Sequence, residues 1–403
     1  MNFRSLWVLL GIPLVIVGLA ADVPIITGIG LIITIAIALS RLWSRRLFNR
    51  LDLNITTTNS RMYQEEETYI LVELENRKFL PLPWLRITVQ LSNELEITSD
   101  NIRTITGDLH QTVVLRGSIG WYEKKSWKVP ITSKHRGNFR IESPVIHTSD
   151  LFGLFPRKQQ FDVRTSLIVY PKIIELNDFG FPADRPLGES KGRNQLFEDP
   201  LRIAGLRDYE PGDSLRRIDW KATARRGEIQ SKVYDPSAAQ HLYVFMNIDT
   251  LSHSWEGFLP EHLERTISVA ASISVWATNN KFAVGLLANG SLLGSDRPLR
   301  LPPSRSKVQI IKILESLAAI QPLTMGTLTG SIRREVGRLP IGSTIVLVAA
   351  HVPEELASEI RYLKNIGYRV SIVSTSVETT FKDLGTVPIQ AIDEHFKKEP
   401  ITT

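Results

Sequence analysis

The chain has no cysteine among its 403 residues. That absence excludes a disulfide scaffold, cysteine-ligated zinc, iron–sulfur clusters and thiol catalysis, and leaves only His and carboxylate metal sites open. Also missing are Gly-x-Ser-x-Gly, His-Glu-x-x-His and Gly-x-x-x-x-Gly-Lys, and none of the eight His residues lies at ligand spacing from another. No nucleophile has a base in a confirming context, so the chain is expected not to be an enzyme. Net charge is small too: Lys and Arg total 48 against 42 Asp and Glu, a formal +6. With 43% hydrophobic and 22% charged residues, the length predicts two to three folded units.

Long apolar runs do occur, at the N-terminus. Residues 6–21 and 23–40 are nearly free of charge and are separated by Asp22. Each is near the short limit for a spanning helix, and together they predict a transmembrane hairpin over residues 1–50. Arg4 precedes the first run and Arg41, Arg45, Arg46 and Arg50 follow the second, so the positive-inside rule predicts a multi-pass inner-membrane protein with its bulk in the cytoplasm. The competing reading is a signal peptide cut after Gly18-Leu19-Ala20-Ala21, leaving one span.

From residue 51 the period becomes two. The runs 69–74, 85–91, 112–116 and 127–131 alternate apolar and polar side chains and are separated by turn residues such as Pro81-Leu82-Pro83 and Arg136-Gly137-Asn138. This predicts an all-β sandwich over 51–172. A Gly- and Pro-rich linker is expected over 173–206. Beyond it, solid apolar strands (His241–Ile248, Lys281–Ala288, Ser343–Ala349, Tyr368–Ser374) alternate with helical stripes (Pro260–Thr278, Ser306–Ala318, Pro353–Asn365). That alternation predicts a doubly wound, mostly parallel α/β domain over 207–380, followed by a tail at 381–403.

Between the halves stands the most distinctive stretch, from Gly205 to Arg225. Pro211-Gly212 predicts a tight turn, and Asp213 or Ser214 a helix cap. Leu215, Ile218 and Ala222 fall on one helical face, and Gly227 ends the helix. The motif residues are Arg207, Asp208, Tyr209, Pro211, Gly212, Asp213, Arg216, Ile218, Asp219, Trp220, Lys221, Ala224 and Arg225. Over residues 205–232 cations exceed anions by only two, too few for phosphate neutralisation, so no nucleic acid is expected. Two readings stay open for the cluster: an internal network of ion pairs and caps, or a docking surface.

This stretch resembles the signature of the bacterial "domain of unknown function 58" family, whose members are membrane-anchored and end in a von Willebrand factor A-like domain. His135-Arg136-Gly137-Asn138-Phe139 and Asp150-Leu151-Phe152-Gly153-Leu154-Phe155 are similar to two further segments of that family, with Leu151 where Pro is frequent. The resemblance implies a MoxR-type AAA+ ATPase as partner, and in some cases a transglutaminase-like membrane protein. It therefore implies a protein-interaction adaptor in the assembly or maturation of protein complexes.

A von Willebrand A-like domain normally holds Mg²⁺ through an Asp-x-Ser-x-Ser loop, a Thr and a second Asp, because a hard dication wants oxygen ligands. Here Asp249 is followed by Leu251 and His253 where the serines belong, Thr327 or Thr329 is the candidate loop threonine, and His351 stands in place of the last Asp. The metal site is degenerate and no cofactor is expected. The alternative function is a receptor whose ligand binding depends on a divalent metal.

Overall fold

The computed structural model of the protein describes residues 8–99, 102–108, 110–174, 203–210, 218–234, 241–251, 257–292, 295–340, 342–376 and 387–391. The chain divides into two compact units, Met1–Tyr170 and Pro171–Thr403.

The first unit opens with helices α1 (Val8–Ala20) and α2 (Pro24–Arg45). Pro24 starts α2 at a position where its missing N–H costs nothing. At 1.5 Å per residue the 22 residues of α2 reach about 33 Å, enough for a hydrocarbon core. Among the described residues α2 alone is long and apolar enough to cross a membrane. This corrects the expectation of two spans: α1 has 13 residues, about 20 Å. It packs instead along α2 through glycines, since a Cβ on Gly18 would lie 2.5 Å from the Thr27 amide nitrogen and one on Gly30 2.7 Å from that of Val15. Close approach at small residues is how apolar helices associate where the hydrophobic effect does not drive them together.

The strands that follow are β1 (Leu51–Thr57), β2 (Arg61–Tyr63), β3 (Thr68–Asn76), β4 (Leu82–Ser92), β5 (Glu96–Ile97), β6 (Arg103–Thr106), β7 (His110–Ile119), β8 (Lys124–Thr132), β9 (Gly137–Glu142), β10 (Val145–Ser149), β11 (Arg157–Gln160) and β12 (Arg164–Tyr170). They form sheets of order β1-β3-β8-β5, β11-β10-β4-β7-β6 and β2-β12-β9. The period of two becomes an inward face: Ile70, Val72 and Leu74 of β3 and Ile87, Val89 and Leu91 of β4 enter one apolar core that draws on all three sheets. Leu47, just past α2, is fully buried in that core, with Trp43 and Phe48 packed against it. Helix α2 is thereby joined to the β-rich region. Asp150, buried after β10, accepts hydrogen bonds from the Phe152 and Phe155 amides at 3.1 and 2.6 Å, while Gly153 supplies the positive φ the turn requires.

The second unit begins with β13 (Ile203–Asp208), α3 (Trp220–Arg226) and β14 (Gln230–Tyr234), then continues through β15 (His241–Asn247), α4 (Pro260–Asn279), β16 (Ala283–Leu292), β17 (Pro298–Ser304), α5 (Lys307–Ala319), β18 (Ile320–Thr324), α6 (Leu328–Val336), β19 (Thr344–Ala349), α7 (Glu354–Asn365), β20 (Arg369–Ser374) and β21 (Ile389–Ala391). The main sheet runs β17-β16-β15-β19-β20-β21, with β18 also on β16. Strands β16, β15, β19, β20 and β21 are mutually parallel, and β17 and β18 are antiparallel to β16. Tyr243 and Phe245 of β15 share a core with α6 and α7. The alternate residues Leu242, Val244 and Met246 are also fully buried, and α4 packs on this strand too. Helices on both faces explain why the strands are solidly apolar.

Three elements depart from the sequence reading. Strand β13 starts at Ile203, inside the expected linker, and β21 lies in the expected tail. Strand β17 carries three prolines and occupies a sheet edge, where a missing ladder donor is tolerated. Arg300 of β17 holds this edge to α6 through a bidentate pair with the buried Glu335, at 2.7 and 2.8 Å.

Candidate functional site

In a sheet of this order the chain leaves β15 toward β16 on one side, while β19 continues to β20 on the other. The carboxyl ends of β15 and β19 therefore flank the topological switch point, where open α/β sheets place their ligands. Four polar residues meet there. Asn289, fully buried in β16, donates from Nδ2 to Asn247 Oδ1 and Asp249 Oδ2, both at 2.9 Å, and its Oδ1 accepts from the Ile248 amide at 2.9 Å. Asn247, also buried, donates to the His351 carbonyl at 3.0 Å, which ties the β15 end to the β19 end. Burial pushes the Asp249 carboxyl above its ordinary pKa; the Asn289 hydrogen bond and nearby His351 oppose that shift.

Of the expected metal-loop residues, Leu251 offers no donor atom and Thr327 uses its hydroxyl to cap α6, accepting from the Gly330 amide at 3.2 Å. His253 lies outside the described residues. No group of three or more His, Asp or Glu positioned to hold a metal occurs among the described residues. Asn289 was missed by the sequence reading; its signal is an amide within an otherwise apolar run, Leu286-Leu287-Ala288-Asn289-Gly290, since a buried amide demands partners. A surface depression of about 450 Å³ lined by Arg333, Val336, Gly337, Glu359 and Tyr362 shares no residue with this cluster.

The motif forms a separate local structure. Strands β13 and β14 pair antiparallel, with Asp208 opposite Gln230. Gln230, fully buried, donates to Asp208 Oδ1 at 2.7 Å and accepts from Arg226 at 3.0 Å, while its amide donates to Thr223 Oγ1 at 3.0 Å. Asp219 caps α3, accepting from the Lys221 and Ala222 amides at 3.1 and 3.0 Å, and Gly227 closes the helix at φ 77°. The helix is thus shorter than expected and its cap is Asp219 rather than Asp213 or Ser214. Ile218 is buried ahead of it in a bridge to Ser231. Tyr209 donates its amide to Ile229, and Arg207 pairs with Glu210 at 3.2 Å. Ala224 and Arg225 lie on the exposed helix surface. Pro211, Gly212, Asp213 and Arg216 fall outside the described residues.

This network leaves Trp220 outside it: the indole is 69% exposed at the first turn of α3, beside exposed Lys221, and Leu206 and Ile229 are exposed on the flanking strand and turn. Asp219→Ala is expected to cost α3 about 1 kcal/mol, seen as roughly five-fold faster hydrogen exchange at the Lys221 and Ala222 amides with α4 unchanged.

Residues 205–387 match the family model described as "Protein of unknown function DUF58". It is 23% identical over 218 residues to "Uncharacterized protein YeaD" of Bacillus subtilis (strain 168), across 53% of this chain and 50% of that protein. The chain thus spans about half the length of this curated relative. Solved structures that it resembles include a cohesin module from a Clostridium perfringens family 33 glycoside hydrolase (12% identity, 29% of this chain and 96% of that one, TM-score 0.22). Another is a non-cellulosomal cohesin from Archaeoglobus fulgidus (14% identity, 29% and 91%, TM-score 0.21). Scores this low establish no shared fold.

Proposed function

We propose that the chain is a non-enzymatic, membrane-anchored adaptor that presents its α/β unit to a MoxR-type AAA+ ATPase in the assembly or maturation of protein complexes. The observation that carries this reading is Trp220: a large indole, mostly in water, on a helix whose cap, end and underlying strand are each fixed by hydrogen bonds. A rigid exposed aromatic beside cations has the character of a binding hot spot. Helix α2 is the membrane anchor, with α1 packed along it, and the arginines after α2 put the remainder of the chain in the cytoplasm. A transglutaminase-like membrane protein is a second candidate partner. The test is co-purification of the ATPase with the tagged full-length chain from membranes in the presence of ATP. Absence of the ATPase while the chain is folded would remove the adaptor role.

In this reading the α/β unit is von Willebrand A-like and works without a metal. The donor set does not fit Mg²⁺: the Asn247 and Asp249 oxygens accept from the Asn289 amide, Leu251 has no oxygen, and the Thr327 hydroxyl is a cap. Because folding raises the pKa of Asp249, the folded state binds its proton more tightly than the unfolded chain. Stability from this group is full below the unfolded pKa and is lost as pH rises through the folded one. Asp249→Asn is therefore expected to melt higher than wild type at pH 7, with the gain vanishing near pH 3, and millimolar Mg²⁺ should leave wild-type melting unchanged. A Mg²⁺-dependent rise that Asp249→Asn abolishes would favour a metal-dependent receptor instead.

A further inference from the structure

The strand register of the first unit places three loops at the end where α2 enters. Leu51, the first residue of β1, lies opposite Asn76, the last of β3, and Glu75 lies opposite Lys124. Leu82 pairs with Ile119, Ser149 with Trp84, and Thr148 with Arg157. The loops β3–β4, β7–β8 and β10–β11 therefore share the α2 end. Two contacts fix this: the Arg77 amide donates to the Arg50 carbonyl at 2.9 Å, and the Ser44 hydroxyl, in the last turn of α2, donates to the Phe155 carbonyl at 3.1 Å.

These loops and the adjoining start of β4 expose large apolar side chains: Phe79, Trp84, Trp121, Tyr122, Leu151 and Phe152 are each 53–68% in water. Phe79 and Trp121 stack, with ring centroids 5.0 Å apart and planes within 9°. Tyr122 sits at φ 49°, a conformation costly for a bulky residue. Arg45, Arg46, Arg50, Arg157 and Lys158 are exposed at the same end and outnumber the exposed Asp52 and Glu123 there, whereas the opposite end carries exposed Glu65, Glu66, Glu67 and Asp108 with Lys134 among them. Apolar and aromatic tips mixed with cations, facing the side from which a spanning helix arrives, match the headgroup layer of a bilayer with anionic lipid.

We infer that these three loops form a second membrane contact: the aromatic tips of the β-rich region sink into the lipid interface around the end of α2 and hold that region flat against the bilayer. The inference rests on α2 being the membrane anchor. A protein partner covering the same tips is the rival outcome.

The chain has no cysteine, so single-cysteine spin labels can be placed without background. The full-length chain is reconstituted in bilayers of phosphatidylcholine and phosphatidylglycerol, with labels at Ile29→Cys in α2, at Trp121→Cys and Phe152→Cys in two of the loops, and at Ile105→Cys on an exposed strand. Collision with oxygen, which partitions into lipid, is compared with collision with an aqueous nickel chelate. The Ile29 label should be shielded from nickel, the Trp121 and Phe152 labels should lose most of their nickel collisions relative to Ile105, and the loss should weaken when phosphatidylglycerol is omitted. An Ile29 label in lipid with loop labels as wet as Ile105 overturns the inference and leaves the anchor standing. An Ile29 label in water overturns the anchor and the inference together. All the substituted loop residues are exposed, so folding should persist, and far-UV circular dichroism checks it.

Discussion

Asn289→Ala is expected to lower the melting temperature of the α/β unit by about 6–12 °C, corresponding to roughly 3 kcal/mol for a unit of this size. The magnitude follows from what the amide holds. Its removal leaves the Ile248 amide without its acceptor, and strips a donor from Asn247 Oδ1 and from the partly buried Asp249 carboxylate. Each buried group left unsatisfied costs about 1–3 kcal/mol, and a cavity adds to that. Asn289→Asp gives a signed check: it keeps an acceptor for Ile248 but sets a second carboxylate against Asp249, so its deficit should be largest at neutral pH and shrink on acidification. Calorimetry of the full-length chain across pH reads both. A variant that melts like wild type would mean that the cluster does not hold the switch point together.

The second large effect is on binding. Trp220→Ala combined with Lys221→Glu should weaken association with the ATPase at least about 30-fold, since truncating a hot-spot aromatic costs about 2 kcal/mol or more. Folding should be unaffected, because both side chains are exposed and surface changes of this kind stay within about 0.5 kcal/mol. The Lys221→Glu change also places an anion in the first turn of α3, where the helix dipole favours it, so lost binding cannot be ascribed to a melted helix. Unchanged affinity would return the motif to a purely internal role as a network of caps and ion pairs.

These expectations rest on residues of very different legibility. The α2 run, the alternating strands β3, β4, β7 and β8, and the apolar strands β15 and β19 follow from periodicity, because burial on one face or two writes itself into neighbouring residues. Strands β17 and β21 do not: the first is dense in proline that only an edge tolerates, and the second is three residues long. The α3 cap shows how local rules compete. Asp213, Ser214 and Asp219 are all chemically able to cap, and it is the bridge from Ile218 to Ser231, a long-range contact, that starts the helix at Trp220. Asn289 was hidden for a related reason. Its partners Asn247 and Asp249 lie about forty residues away, and only strand order brings β15 and β16 side by side. A metal-loop pattern points to Asp249 and His351, while the residue that joins the β15 loop to β16 is an amide one strand over.

The adaptor reading is tested most directly by placing a photo-crosslinking amino acid at position 220 of the full-length chain and irradiating intact cells. A crosslink to a MoxR-type ATPase is expected, identified by mass spectrometry and lost when the crosslinker is moved to Ile105. A crosslink at 220 only to this chain, to lipid or to an unrelated protein, with the ATPase present in the cell, would contradict it.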